Sequence, residues 1–231
     1  MTEDIWDELA PHYDDWFETP AGAFVLGAEI AALLHLTGDL TGLRGLEVGC
    51  GTGQFGRAFA RQGAWMVGLD RSRSMLDVAA RTSADHLRLC LADAERLPFA
   101  SQTFDVVLAV TVLEFIPKLL SALAEMWRVL RPGGQMLVGV LNAWSLWALT
   151  RKLLREETPY TSAHFFSLSE LLRLLRNFAP ARWRGAAFLP PWARGQRMGW
   201  WSALENAGAR WWPILGAFLV AGTEKPREAK R

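Results

Sequence analysis

Leu46-Glu47-Val48-Gly49-Cys50-Gly51-Thr52-Gly53-Gln54-Phe55-Gly56 reads as an apolar strand running into a glycine-rich turn that opens a helix. Glycines at three alternate positions, Gly49, Gly51 and Gly53, allow positive φ and let a ligand approach the main chain without meeting a Cβ. The stretch also contains Gly51-x-Gly53-x-x-Gly56, and Asp70 follows Gly51 by nineteen residues, so a dinucleotide fingerprint is matched on pattern alone. Glu47 separates the readings. It lies two residues before the first glycine, in a strand that a parallel sheet buries on both faces, and a buried carboxylate needs a partner. An anion there repels the pyrophosphate of a nicotinamide or flavin cofactor and favours a ligand carrying ammonium and sulfonium charge.

Glu-x-Gly-x-Gly-x-Gly after a strand resembles the first motif of class I S-adenosylmethionine-dependent methyltransferases. Further segments resemble the same family in the same order: the acidic Ala92-Asp93-Ala94-Glu95-Arg96-Leu97-Pro98-Phe99, then Thr111-Val112-Leu113-Glu114-Phe115-Ile116, then Arg128-Val129-Leu130-Arg131-Pro132-Gly133-Gly134 before a strand. The resemblance runs from about Tyr13 to Asn142 and covers only general architecture beyond. It implies a Rossmann-like α/β fold: a doubly wound seven-stranded sheet, mostly parallel with the last strand antiparallel, and N-terminal helices covering the cofactor. It implies S-adenosylmethionine as cofactor, with S-adenosylhomocysteine as product. The binding set it implies is Glu47, Gly49, Cys50, Gly51, Gly53, Asp70, Arg71, Met75, Asp93, Ala94 and Thr111, with Tyr13 reaching the cofactor's carboxylate end. Asp93 would accept the adenine exocyclic amine while the Ala94 amide meets a ring nitrogen.

Several of these residues carry a second reading. Asp70 ends a strand, where open α/β sheets place ligands, and its carboxylate can accept two ribose hydroxyls; a lone acid there can equally cap the next helix. Tyr13 can be an interface aromatic, Met75 a core methionine and Asp93 a solvated loop acid.

A chain of 231 residues suits one α/β domain, divided here into a helical cap (1–43), a cofactor core (44–142) and a substrate side with a closing strand pair (143–231). The composition is globular, 51% hydrophobic and 21% charged. Cys50 and Cys90 suggest neither a disulfide framework nor a metal site, and no acid cluster resembles a catechol-type metal site, so no metal is expected. The acidic N-terminus lacks an apolar signal core, and the expectation is a cytoplasmic protein. Net charge is near zero, yet residues 1–142 hold 11 basic and 18 acidic side chains against 14 and 6 in residues 143–231. That basic third also carries eight of the twelve tryptophans. These rings can line an acceptor pocket, fill a C-terminal core, or rest on a membrane surface. No nucleic-acid module appears, and no nucleic-acid partner is expected. Oligomeric state is not legible.

Along the chain, apolar spacing predicts a helix over Ile5 to Phe17 and a second over Ala21 to Leu36 after Thr19-Pro20. Helices follow at 54–62, 72–82, 117–130 and 144–155, and a capping box at Ser167-x-x-Glu170 opens one over 168–177. Strands are expected at 64–69, 87–91, 104–110, 135–141, 182–189 and 215–222. Methyl transfer from a sulfonium is an in-line displacement in which alignment supplies most of the acceleration, and a base is needed only when the acceptor must lose a proton. The candidate bases are His164, in a loop, and Glu114, after the fourth strand; each also has a plain packing or surface role. The acceptor is expected to be small and apolar or aromatic. A cofactor-binding partner subunit without catalysis, and acceptors that are lipid-like, RNA or protein, are the competing readings.

Overall fold

The computed structural model describes residues 3–82, 85–154, 160, 162–193 and 198–227. Five strands whose side chains are mostly apolar form its centre: β1 (Arg44–Val48), β2 (Trp65–Asp70), β3 (Leu87–Leu91), β4 (Phe104–Val110) and β5 (Leu130–Leu141). With β6 (Ala181–Ala186) and β7 (Phe218–Glu224) they make, among the described residues, one seven-stranded sheet of order β3-β2-β1-β4-β5-β7-β6. The first five are parallel, and β7 runs antiparallel to both neighbours. The doubly wound order reverses between β1 and β4, which opens a crevice at their carboxyl ends.

Alternation along β4 decides which helices lie on which face. Val106, Leu108 and Val110 pack on one side with Phe59 of α4 (Gln54–Arg61), Leu33 of α3 (Pro20–Leu36) and Trp201 of α9 (Met198–Trp211). Val107 and Ala109 pack on the other with Leu123 and Met126 of α6 (Leu119–Val129) and Leu171 of α8 (Leu168–Leu175). Fully buried side chains such as Phe59 and Leu123 each contribute about 1.5–3 kcal/mol. Asp105 is the polar residue of β4: it accepts from the Arg44 amide at 2.8 Å and pairs with Arg131 at 2.7 Å. Its partner arises where β5 slips register, Phe104 facing Leu130 but Val106 facing Gln135. Gly133, at φ +79°, takes the conformation that the second central position of a type II turn requires, yet the strand runs on through it.

The remaining helices are α1 (Glu3–Leu9), α2 (Asp15–Glu18), α5 (Arg73–Arg81) and α7 (Leu146–Leu154). The single helix expected over residues 5–17 is therefore two, separated by a 3₁₀ turn at Ala10–His12 that carries Pro11. Thr19 caps α3 as expected, accepting from the Gly22 amide at 3.1 Å. Ser167 caps α8 through the Glu170 amide, but the capping box does not close: the Glu170 carboxylate binds His164 instead. The helix break expected at Pro159 and the charged tail beyond residue 227 lie outside the described residues.

Candidate active site

The glycine loop leaves β1 with three consecutive alternate glycines at positive φ, +69° for Gly49, +51° for Gly51 and +81° for Gly53. Each has a separate reason. A Cβ on Gly49 would lie 2.2 Å from Val112, so the loop can pass under the end of β4 only with hydrogen there. A Cβ on Gly51 would meet nothing within 4 Å, so this face of the loop is open. Gly53 begins α4, and behind it a Cβ on Gly56 would lie 2.6 Å from the Glu47 carboxylate. Gly56 is thus spaced for Glu47 and not for a pyrophosphate.

Glu47 is buried and accepts from the Gly56 amide at 2.7 Å, satisfying an orphan donor in the first turn of α4. Burial raises its pKa to about 8, and the Gly56 bond and the Arg57 guanidinium only partly offset this. Arg57, itself buried, donates to the Thr52 carbonyl at 2.6 Å, and the Thr52 hydroxyl donates to Asp14 at 2.7 Å. The Asp14–Thr52–Arg57 chain thus ties the N-terminal cap to the loop. Ser72 does the same one strand over, donating to Asp7 at 2.5 Å.

Asp70, at the end of β2, accepts from the Gly51 amide at 2.7 Å and the Ser72 amide at 2.9 Å. It organises the loop and lines the cavity, and a carboxylate has about four lone-pair positions, so some remain free; the cap of α5 is not Asp70 but Ser72, whose hydroxyl accepts from the Met75 amide at 3.1 Å. Burial raises its pKa. After β3, Asp93 is exposed and accepts from the Glu95 amide at 2.8 Å. The loop that carries it is held from α6: Glu125 accepts from the Leu97 amide, and Arg128 donates to the carbonyls of Leu97 and Phe99. Thr111, after β4, is a non-glycine residue at φ +48°, held there by its amide bond to Gly139. Cys50 is a buried thiol whose pKa burial pushes up, packed against Gly68.

These strand ends line one cavity of about 760 Å³, the size of a small-molecule site. Every cofactor residue expected from the sequence except Gly53 lines it. Its opposite wall is aromatic. Trp6, Tyr13, Phe17, Phe115 and Tyr160 meet edge-on or tilted, with centroids 4.9–6.4 Å apart. The Tyr13 hydroxyl donates to Tyr160, and burial raises the pKa of both. On the same wall Glu29 of α3 is buried, and its pKa is about 8, raised by burial and then by Glu205 and Glu114.

Neither expected base reaches the cavity. His164 projects outward and binds Glu170 at 2.8 Å, its side chain 59% exposed. Glu114 is buried behind the wall, one oxygen accepting from the Leu141 amide at 2.7 Å. The other has no hydrogen-bond partner among the described residues, and burial raises the pKa to about 7. Glu114 therefore pins the 3₁₀ turn Leu113–Phe115 to the end of β5. Among the described residues no cluster of three or more His, Cys, Asp or Glu side chains is placed to hold a metal.

Residues 46–138 match a family model described as a methyltransferase domain. An uncharacterised protein of Methanocaldococcus jannaschii is 31% identical over 173 residues, 74% of this chain and 78% of that one. The chain belongs to the class I S-adenosylmethionine-dependent methyltransferases. Within this family, a malonyl-[acyl-carrier protein] O-methyltransferase of Serratia marcescens is 36% identical over 135 residues, 56% of this chain. The chain spans about half the length of that relative, 52%. A Thermotoga maritima S-adenosylmethionine-dependent methyltransferase superposes with a TM-score of 0.75 at 25% identity, covering 96% of this chain and 99% of that one. The cavity fits the family's cofactor in kind: its strand-end groups are carboxylates and open backbone, suited to a cationic nucleoside without phosphate.

Proposed function

We propose that this methyltransferase moves the methyl group to a small, apolar or aromatic acceptor by in-line displacement. The carrying observation is that one continuous cavity joins the glycine loop to an aromatic wall. S-adenosylmethionine supplies a methyl carbon on a sulfonium, which leaves as a neutral thioether and needs no acid. In this reading Asp70 holds the ribose hydroxyls, and Asp93 with the Ala94 amide reads the adenine. Met75 and Arg71 border the adenosine, while Gly49 to Gly53 and Thr111 offer main chain and Glu47 a balancing charge. Tyr13 closes the cap over the amino-acid end.

On the acceptor side Glu29 takes the place that His164 and Glu114 do not fill. A carboxyl group with a pKa about 8 is matched to accepting a proton near neutral pH. The acceptor's nucleophilic atom forms the new bond to the methyl carbon, the C–S electron pair stays on sulfur, and the displaced proton passes to the Glu29 carboxylate. Labelled methyl transfer into a fractionated cell extract tests the reading. Label is expected in small organic-extractable molecules; label confined to protein or RNA would overturn it.

A further inference from the structure

Six of the eight C-terminal tryptophans divide three ways. Trp201 is core, 1% exposed and edge-on to Phe24. Trp147 lines the cavity and donates to the Leu189 carbonyl. Trp144, Trp192, Trp211 and Trp212 are 70%, 64%, 66% and 61% exposed, and Leu149, Ile214 and Leu215 are about half exposed beside them in sequence. Large apolar groups presented together are uncommon on a soluble surface without a partner.

The segments that carry these residues are tied together, first by one buried amide. Asn142 is fully buried and donates to the carbonyls of Ile214 and Gly216, both at 2.7 Å, while its oxygen accepts from the Trp144 amide at 3.0 Å. The Trp212 amide is bonded to Gly208, and the Leu215 amide to Trp212, so the end of α9 and the turn after it are part of the same assembly. The Trp147–Leu189 bond brings in the segment that carries Pro191 and Trp192, both on the cavity wall. Through Trp192 the apolar face adjoins the cavity.

Its charge identifies the occupant. In the described parts of these segments the charged side chains are Arg151, Lys152 and Arg210 and one acid, Glu205. Glu205 is turned inward and accepts from the amides of Ala187 and Phe188. Arg210 lies 5.4 Å from the Trp211 ring centroid, an amphipathic pair of the kind that sits at a lipid headgroup boundary. We propose that this face is a docking platform for the surface of an anionic lipid bilayer, so that the cavity mouth opens onto the membrane. Contact is with the surface, and no single helix among the described residues is long and apolar enough to cross a bilayer. An acceptor reaching the cavity by this route is a membrane-partitioned amphiphile. That last step rests on the reading of the cavity given above, whereas the docking itself does not.

The test is co-sedimentation of the full chain with phosphatidylcholine vesicles, with and without phosphatidylglycerol, alongside tryptophan quenching by bromine-labelled acyl chains. Binding is expected only with the anionic lipid, weakening as salt is raised, with quenching that reports ring insertion. A variant carrying Trp144→Ser, Trp211→Ser and Trp212→Ser should lose roughly tenfold or more in partitioning, since insertion scales with buried apolar area. Lys152→Glu with Arg210→Glu should abolish the lipid selectivity. All five positions are exposed, and S-adenosylhomocysteine binding by each variant confirms the fold. Failure of the wild type to bind anionic vesicles overturns the proposal, as does equal binding by the triple variant. So does a wild-type dimer that the triple variant dissociates, which would assign the face to a second copy of the chain. Vesicle binding requires no methyl transfer, so an incorrect acceptor class would leave this result standing.

Discussion

A carboxyl group buried in an aromatic wall either keeps its proton or takes a cation, because neither rings nor aliphatic side chains solvate its charge. Glu29 is in that situation, and its pKa about 8 means that the ionised form grows in only as the medium becomes mildly basic. If it receives the acceptor's proton, wild-type kcat/KM rises with pH through about 8. Glu29→Gln, which keeps the shape, should lower kcat by ~10²-fold and erase that limb, since general-base assistance is of that order. S-adenosylhomocysteine affinity, read by calorimetry, should be unchanged. A pH–rate profile that survives the substitution removes Glu29 from the reaction. His164 provides the contrast. Its ring is held outside the cavity by Glu170, so His164→Ala should change kcat by no more than ~2-fold, as for an ordinary surface substitution. The sequence pointed to His164 because an imidazole suits proton transfer near neutral pH, and it assigned Glu170 to a capping box. Which partner Glu170 takes is a matter of where the preceding loop folds. Glu29 was silent for the opposite reason: among alanines and leucines of α3, a single acid gives no sign that it faces a cavity rather than solvent.

At the scale of the elements, the glycine loop separates folding from binding in a way two substitutions can resolve. Gly51→Ala places a methyl group where no protein atom lies within 4 Å, so its fold cost is the left-handed backbone alone, ~1–2 kcal/mol. It should still abolish cofactor binding, because the open side is the ligand's. Gly56→Ala sets its methyl against the Glu47 carboxylate and should lower Tm and binding together. Calorimetric scans beside titrations with S-adenosylhomocysteine distinguish the two; equal loss of Tm in both would mean that the open face of Gly51 is closed by protein. The cap gives a parallel case. Asp14→Ala leaves the buried Thr52 hydroxyl without its acceptor, a cost of ~1–3 kcal/mol. Amide exchange over residues 3–18 should accelerate and cofactor affinity fall by ~10-fold, the factor that 1.4 kcal/mol represents. The loop, Asp70 and Asp93 were legible because strand-end motifs are local in sequence. The Asp14–Thr52 tie spans thirty-eight residues and left no periodic trace, whereas the break at Ala10–His12 coincides with Pro11, a breaker that apolar spacing alone passes over.

Across the whole molecule, acid is concentrated in the cofactor half and base in the C-terminal third, but the carboxyls that matter most to stability are the few that folding takes out of water. Burial raises Glu29 and Glu47 from 4.5 to about 8 and Glu114 to about 7. Between these values the folded chain holds protons that the unfolded chain has released, so the slope of unfolding free energy with pH is negative. The stabilisation is fully present below pH 4.5 and is lost as pH rises through about 7 and then about 8. Glu125, held low by its Arg128 partner, acts in the opposite sense, its contribution lost only as pH falls below the ordinary carboxylate range. Tm of the ligand-free protein should therefore be highest in mildly acidic buffer and decline steadily toward pH 8.5. Glu114→Gln, which removes one of the three protons without touching the cavity, should flatten the part of the decline that lies below about pH 7. A cationic cofactor beside Glu47 favours its ionised form, so the Tm gain from saturating S-adenosylmethionine should be larger at pH 8 than at pH 6. Scanning calorimetry across this range decides it. A Tm that rises with pH would mean that these carboxyls ionise freely in the fold and that burial does not hold them protonated.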